Sequence, residues 1–271
     1  MIFDTHAHYD DEAFDEDRDE LLSSMEENGV GTIINVGASV SSSRKSIELA
    51  HKYSFIYAAV GIHPEEFNEL DEEHESEIRL MIENEQHGYN DRIAAVGEIG
   101  LDYHWAENEK QRELQRESFK RQLEMAKRYN LPAIIHSREA AEDTFNIIEK
   151  ATDENLECVI HCYSGSPEMA IRYTQMGHYI GVGGVVTFKN GKKLKETVAR
   201  IPMEKLLLET DCPYMSPEPY RGKRNDSTYI KYVVKEIAAI RGMSEEDIIS
   251  VTEKNARRFY MIGSVYVSSF M

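Results

Sequence analysis

The sequence predicts a single-domain α/β protein with the (β/α)8 architecture of a TIM barrel. Three observations support this prediction: the length of 271 residues, eight short β-branched apolar runs, and longer amphipathic stretches between them. Barrels of this class commonly have about 250 residues. Because the runs are continuously apolar, they are typical of strands buried on both faces of a parallel sheet. A doubly wound sheet is the alternative, but the sequence contains neither G-x-G-x-x-G nor a P-loop.

The eight apolar runs mark the predicted strands and recur about every 30 residues. In chain order they are residues 1–5, 32–36, 56–60, 93–96, 133–135, 157–160, 179–182 and 205–208. Residues 108–129 repeat apolar side chains at helical spacing, which predicts an amphipathic helix after the fourth strand. The strand–helix alternation continues to the end of the eighth unit, as a barrel requires.

Two segments follow the last strand–helix unit. Residues 244–261 predict an additional helix, because Ser244 is a favoured N-cap and three acidic residues follow it in the first turn. We therefore assign residues 1–262 to the barrel domain and residues 263–271 to a short apolar C-terminal tail. The sequence leaves open whether this tail docks on the barrel or mediates association.

Composition and charge exclude several classes of protein. The chain has 31 Lys and Arg against 49 Asp and Glu, and this net charge of −18 argues against general charge-driven binding to nucleic acids or anionic membranes. No apolar run reaches the ~20 residues that span a bilayer, and the N-terminus lacks a signal-peptide layout. Three cysteines are too few for a disulfide framework. We expect a cytoplasmic protein that does not bind membranes, and its oligomeric state stays open, a monomer included.

Polar residues cluster after the predicted strands, at the end where barrel enzymes place their chemistry. Five of the ten histidines and two acidic residues lie at these strand ends: His6, His8, His63, His136, His161, Glu98 and Asp211. Aromatic residues that could stack bases also lie near strand ends, although core packing explains most of them: Tyr103, Trp105, Tyr163 and Tyr214.

The first and fourth strands predict a metal site. His6 and His8 are two residues apart on a strand, so both imidazoles can face the barrel mouth and hold one cation. Glu98 lies roughly opposite and offers two oxygens, enough to bridge two cations. We therefore expect two divalent ions per subunit. Mixed histidine and carboxylate ligation leaves their identity open among zinc, magnesium and manganese.

Three further residues complete the predicted ligand set. His136 and His161 on neighbouring strands could form the second site, and Asp211 could return to the first. A single histidine at a strand end is more often a hydrogen-bonded core residue. Six such groups on five strand ends, however, would be costly to desolvate together without a cation.

These residues stand in six short motifs that occur in a recognisable order. They are Asp4-Thr5-His6-Ala7-His8, Gly61-Ile62-His63-Pro64, Gly97-Glu98-Ile99-Gly100-Leu101-Asp102-Tyr103, His136-Ser137-Arg138, His161-Cys162-Tyr163-Ser164-Gly165 and Glu209-Thr210-Asp211-Cys212-Pro213. The set resembles the signatures of the TatD-type metal-dependent deoxyribonucleases, of the amidohydrolase-like superfamily, from residue 4 to residue 256. The resemblance implies DNase activity, including exonuclease action on single-stranded ends. It implies the same metal ligands: His6, His8, Glu98, His136, His161 and Asp211. Glu98 takes the place of the bridging carboxylate, where many members of the superfamily use a carboxylated lysine.

We hypothesise that the protein hydrolyses DNA phosphodiesters with a metal-activated water. Two divalent ions lower the pKa of water from about 15.7 towards ~7 and clamp the attacking and leaving oxygens. Glu98 and Asp211 are the predicted catalytic residues, with Asp211 orienting the water and accepting its proton. Glu209, two residues earlier on the same strand, is predicted to orient a ligand. A buried salt bridge is the alternative role for Glu209.

Local positive charge supports a phosphate substrate, since guanidinium groups bind phosphate through two hydrogen bonds. The predicted substrate-binding residues are His63, Arg138, Arg221 and Arg224. Exposed Arg and Lys runs are often simply solvated, and this is the alternative to substrate binding by these residues. An alternative function on the same barrel is metal-dependent hydrolysis of a small ester, amide or aminoacyl ester, because fold and metal do not fix the substrate. A barrel that binds metal or a partner without catalysis is the remaining alternative.

Overall fold

The computed structural model describes residues 1–88, 91–153 and 156–263. Strands and helices alternate along the chain in the predicted order. The strands are β1 (Ile2–Ala7), β2 (Val30–Val36), β3 (Ile56–Val60), β4 (Ile93–Asp102), β5 (Ala133–Arg138), β6 (Cys158–Ile160), β7 (Tyr179–Val182) and β8 (Leu206–Leu208). The helices are α1 (Arg18–Ser23), α2 (Val40–Lys52), α3 (Glu72–Gln86), α4 (Glu109–Arg128), α5 (Ala141–Ala151), α6 (Pro167–Gln175), α7 (Lys192–Arg200), α8 (Ile230–Arg241) and α9 (Glu245–Phe259).

The eight strands form one parallel sheet in the order of the chain, β1 to β8. The sheet closes between β1 and the segment after β8. There the His8 N–H donates to the Cys212 carbonyl at 2.8 Å, and the Asp211 N–H donates to the His6 carbonyl at 2.9 Å. The predicted single-domain (β/α)8 barrel is confirmed, and its carboxyl-terminal mouth is where the strand-end residues meet.

Strand β4 extends six residues beyond its predicted end, through the site residues to Asp102. Its register against β5 shifts between Val96 and Ile99, so the strand is irregular where it enters the mouth. Gly100 has φ +143°, and a Cβ there would lie 2.1 Å from the carbonyl oxygen of His136. The close approach of β4 and β5 therefore requires glycine at this position.

The helices pack apolar faces against the barrel. Helix α4 begins where predicted, with the Asn108 side chain accepting the Gln111 N–H, and it buries Phe119 and Leu123. Helix α9 begins after Ser244, whose side chain accepts the Asp247 N–H, as the sequence predicts. Residues 264–271 of the predicted tail lie outside the described residues. Within the described residues, no helix is both long enough and apolar enough to cross a bilayer.

Candidate metal centre

The Glu98 carboxylate lies at the centre of the barrel mouth. Glu98 is 4% exposed, and its Oε1 faces three imidazoles. The distances from Oε1 are 2.7 Å to His161 Nε2, 2.9 Å to His136 Nδ1 and 3.5 Å to His63 Nε2. One oxygen of the predicted bridging carboxylate, Oε1, thus contacts one group of histidines.

The second oxygen of Glu98 faces the histidines of β1. Oε2 lies 3.3 Å from His6 Nε2 and 3.7 Å from His8 Nε2. Those two imidazole nitrogens lie 3.0 Å apart, and Asp211 Oδ1 lies 3.7 Å from the first and 3.5 Å from the second. The two oxygens of Glu98 therefore separate two groups of potential ligands, which is the arrangement expected of a carboxylate that bridges two ions.

Three groups of side chains among the described residues bring their donor atoms within 4.8 Å of one another. The groups are His6, His8 and Glu98; His6, His161 and Asp211; and His63, Glu98 and His136. All six predicted ligands lie in these groups. The structure adds His63, which the sequence assigned to substrate. His161 shares the Oε1 atom of Glu98 with His136, its predicted partner, and it also lies within reach of His6 and Asp211.

The donor set fits divalent cations. Nitrogen and carboxylate oxygen donors suit ions such as zinc and manganese. His6 and His161 bring their Nε2 atoms to within 3.3 and 2.7 Å of the Glu98 carboxylate oxygens. Such a concentration of buried polar groups is costly unless cations offset their desolvation. The residues present therefore fit a metal centre.

The pKa values of the centre reflect burial and mutual charge. Burial alone would raise the pKa of Glu98, but the neighbouring imidazoles of His161, His63 and His6 hold it well below its usual value. Burial likewise opposes the charged form of His8, yet the hydrogen bond to Asp211 and the charge of Glu98 raise its pKa to about 10. The Glu98 carboxylate thus stays ionised among the imidazoles, and its negative charge favours a cation at the centre.

Two histidines are oriented by hydrogen bonds on the side away from Glu98. His8 Nδ1 lies 2.8 Å from the Val36 carbonyl oxygen, and His136 Nε2 lies 3.0 Å from Asp102 Oδ2. Because a carbonyl or carboxylate accepts the proton on one ring nitrogen, the other nitrogen keeps its lone pair for a cation. Sequence reasoning assigned no role to Asp102, although it ends the same motif as Glu98.

Asp4 is a second positioning residue that sequence reasoning missed. Its buried carboxylate accepts hydrogen bonds from the Thr210 N–H at 3.0 Å, the Thr210 hydroxyl at 2.7 Å and the Ser227 hydroxyl at 2.6 Å. Burial raises the pKa of Asp4 to about 6. This network ties β1, which carries His6, to the segment that carries Asp211.

Glu209 lies beneath the centre and is 1% exposed. Its Oε1 accepts the Cys162 N–H at 2.5 Å, and so it holds the backbone next to His161. Its Oε2 has no hydrogen-bond partner among the described residues. Burial raises the pKa of Glu209 to about 8. The geometry matches a carboxyl group that positions a ligand through its backbone.

The predicted substrate-binding arginines differ in their surroundings. Arg138 is exposed, with its guanidinium 5.9 Å from the centre of the Trp105 ring. Arg221 is exposed and lies 4.3 Å from the Phe188 ring centre. Arg224, in contrast, pairs with both carboxylate oxygens of Asp17 at 2.6 and 2.8 Å. Because the Arg224 guanidinium already pairs with Asp17, we do not include Arg224, a predicted phosphate-binding residue, in the proposed substrate site.

Comparison with known proteins identifies the family. A family model described as TatD related DNase matches residues 3–261. The chain is 41% identical to a protein of Bacillus subtilis named "Uncharacterized metal-dependent hydrolase YabD", over 97% of this chain and 100% of the relative. It is 30% identical to human "Deoxyribonuclease TATDN3", over 96% of this chain and 94% of the relative. The solved structure of YJJV, a TatD homologue of Escherichia coli, superposes with a TM-score of 0.88 at 29% identity, covering 96% of this chain and 98% of that one.

The family match confirms the resemblance that the strand-end motifs indicated. It extends over nearly the whole barrel, and a relative that matches at full length is named a metal-dependent hydrolase. The buried histidine and carboxylate groups at the mouth supply residues that could bind the metal. The protein is therefore a metal-dependent hydrolase that belongs to the family of TatD-related DNases.

Proposed function

We propose that the protein is a deoxyribonuclease that cleaves DNA phosphodiesters, in an exonuclease-like manner, at a centre of two divalent ions. The observation that carries this proposal is the Glu98 carboxylate, whose two oxygens face two groups of imidazoles at the barrel mouth. Two exposed cationic side chains lie at the same mouth: Arg138 ends β5, and Arg221 lies in the segment after β8. The name of the human relative supports the same substrate class.

The residues of the centre have separate roles in phosphodiester hydrolysis. Bound divalent ions act as Lewis acids that stabilise phosphate charge and lower the pKa of water. His6, His8, His136, His161, Asp211 and Glu98 would hold these ions.

Other side chains of the mouth act on the water and the phosphate. Asp211 Oδ1 lies 3.7 Å from His6 Nε2 and 3.5 Å from His8 Nε2, where it can accept the proton of the attacking water. The side chain of Asp211 is 14% exposed. Arg138 and Arg221 bind the phosphate on the solvent side, and His63 lies close enough to Glu98 to contact either an ion or the phosphate.

A substrate panel tests this proposal. Chelator-treated protein is assayed with zinc, magnesium or manganese restored, on single-stranded DNA and on small carboxylic esters, amides and lactones. We expect hydrolysis of DNA alone. Hydrolysis confined to carboxylic esters or amides would contradict the proposal and favour the alternative hydrolase function.

A charge variant tests the phosphate contact. Arg221→Gln should weaken DNA hydrolysis, whereas Arg172→Gln is a matched control, because Arg172 also lies over an aromatic ring, at 3.8 Å from Phe145. Arg172 lies on α6, away from the ligand set. Equal activity of the two variants would contradict a role for Arg221 in substrate binding.

A further inference from the structure

Three large apolar side chains are exposed beside the metal centre. Among the described residues, large apolar side chains are exposed at Met1, Leu80, Trp105, Tyr214, Met215 and Met243. Trp105 follows β4, and Tyr214 and Met215 follow β8, so these three belong to the barrel mouth. Exposed aromatic residues beside cationic side chains are the usual features of sites that bind unpaired bases.

The backbone of Trp105 is tied to the metal centre through Asp102. Asp102 Oδ1 accepts the backbone N–H of His104 at 2.9 Å and of Trp105 at 3.3 Å, while Oδ2 of the same carboxylate lies 3.0 Å from His136 Nε2. The Trp105 side chain is 52% exposed, and the Arg138 guanidinium lies 5.9 Å from its ring centre. An exposed ring and a phosphate-binding cation thus lie together.

Tyr214 lies on the other side of the centre. Its ring is 54% exposed and meets the His8 ring edge-on at 6.4 Å between centroids. Its hydroxyl donates to Asp11 Oδ2 at 2.9 Å. The same ring lines a cavity of about 500 Å³ together with Met215, Phe188, Arg221 and Lys223. That volume lies within the range of about 300–1,000 Å³ that is common for small-molecule sites.

The two rings follow strands on opposite sides of the barrel. In a closed sheet ordered β1 to β8, the ends of β4 and β8 lie across the mouth from each other. Eight strands spaced about 4.8 Å apart and tilted by about 36° enclose a barrel ~15 Å across. Glu98 and its imidazoles lie at the same mouth.

We propose that Trp105 and Tyr214 stack unpaired bases on the two sides of the phosphate that is cleaved, so that single-stranded DNA lies across the mouth. This inference rests on the proposed deoxyribonuclease function and adds two residues that determine its specificity. Bases in a duplex already stack on their neighbours, so only an unpaired strand can place bases on both rings. Each base–ring contact contributes about 5- to 150-fold in affinity.

Binding can be measured without catalysis, because Trp105 is the single tryptophan of the chain. With metal removed by chelator, selectively excited tryptophan emission reports Trp105 alone. Titration with oligo(dT) should quench this emission, whereas an oligomer of abasic deoxyribose phosphate of the same length should leave it unchanged. Equal quenching by the abasic oligomer, or equal affinity for duplex DNA, would overturn the proposal.

Substitutions separate stacking from other roles. Trp105→Ala and Tyr214→Ala should each raise the Kd for oligo(dT) at least 5-fold, measured by anisotropy of a labelled oligomer. Trp105→Phe and Tyr214→Phe should restore binding, because each keeps a ring. Thermal unfolding of each variant verifies that it is folded.

The hydrolysis assay distinguishes failure of this inference from failure of the proposed function. If the wild type cleaves single-stranded DNA but both alanine variants bind it with unchanged Kd, the stacking proposal is wrong and the deoxyribonuclease function stands. If the wild type binds oligo(dT) through both rings but cleaves no phosphodiester with any metal, the two rings bind unpaired bases and the deoxyribonuclease function is wrong.

Discussion

Replacing Asp102 with asparagine should weaken metal binding although Asp102 is not a predicted metal ligand. Asp102 is fully buried, and its Oδ1 accepts two backbone N–H groups, from His104 and Trp105. An asparagine must keep its amide oxygen on that side, because its NH₂ group cannot accept these bonds. The NH₂ group would then face His136 Nε2, now 3.0 Å from a carboxylate oxygen.

The substitution therefore places two hydrogen-bond donors, the asparagine NH₂ group and the Nε2–H of His136, against each other unless His136 changes its tautomer. With Nε2 unprotonated, the imidazole proton moves to Nδ1, the nitrogen that lies 2.9 Å from Glu98 Oε1 and should bind the cation. Loss of a hydrogen-bonded partner behind a metal-binding histidine typically costs about 10- to 100-fold in metal affinity or activity. This range corresponds to about 1.4–2.7 kcal/mol, close to the ~1.5–3 kcal/mol of a hydrogen bond to a charged group.

Metal affinity is measured by competition with a coloured chelator, and metal content by elemental analysis after dialysis. We expect Asp102→Asn to lose affinity at one of two sites, with the second site unchanged. Asp143→Asn is a matched control, because Asp143 accepts the Tyr103 hydroxyl at 2.5 Å but contacts no predicted ligand. Wild-type affinity at both sites in Asp102→Asn would refute this account of His136.

Three further predictions concern stability. Gly181→Ala should destabilise the fold by about 1–3 kcal/mol, because its Cβ would lie 2.3 Å from Glu209 Oε2. Urea unfolding measures this loss. If the double variant Gly181→Ala/Glu209→Ala loses the sum of the two single losses, the clash with Glu209 is not the cause. Burial lowers the pKa of His178 to about 4, and its Nδ1 accepts the Cys158 N–H at 3.2 Å. Between pH 6.5 and about 4, the His178 imidazole is protonated in the unfolded chain but neutral in the folded protein. The free energy of unfolding should therefore fall by up to about 3 kcal/mol as the pH is lowered through this range. His178→Gln should lose this pH dependence, and an identical pH profile would contradict the assignment. Saturating chelator-stripped protein with a divalent ion at 100 times its Kd should add about 2.7 kcal/mol to stability and raise Tm by several degrees. An unchanged Tm would argue against binding of the ion to the folded protein.

The fold was predictable because buried parallel strands are continuously apolar. The predicted bounds of β3 and β7 match the structure, and those of β8 differ by one residue. The end of β4 was not predictable from hydrophobicity, since Gly97 and Gly100 break the apolar run at Val96. The strand continues because glycine permits the close approach of β4 to β5, a contact between segments about 35 residues apart in the chain.

The candidate site was predictable only in part, because strand ends converge but their contacts depend on register. The strand-end rule found the residues that surround Glu98. It did not find Asp102, whose contact with His136 depends on the irregular pairing of β4 and β5. Nor could it show that Arg224 pairs with Asp17, since that pair joins positions 207 residues apart.

The aromatic residues near strand ends could not be sorted by sequence. Tyr163 proves to be buried at 4% exposure and Tyr103 half-buried, whereas Trp105 and Tyr214 are more than half exposed. Local sequence does not distinguish these pairs, because exposure depends on which helices and loops cover each ring. The structure therefore supplies the distinction on which the stacking proposal rests.

The most direct test of the central claim is the rate of single-stranded DNA hydrolysis as a divalent ion is added back to chelator-stripped protein. The account predicts that activity rises to a plateau at two ions per chain and that Glu98→Gln, which removes the carboxylate between the two groups of imidazoles, stays inactive at every ratio. Absence of bound metal in the wild type, or full activity of Glu98→Gln, would contradict it.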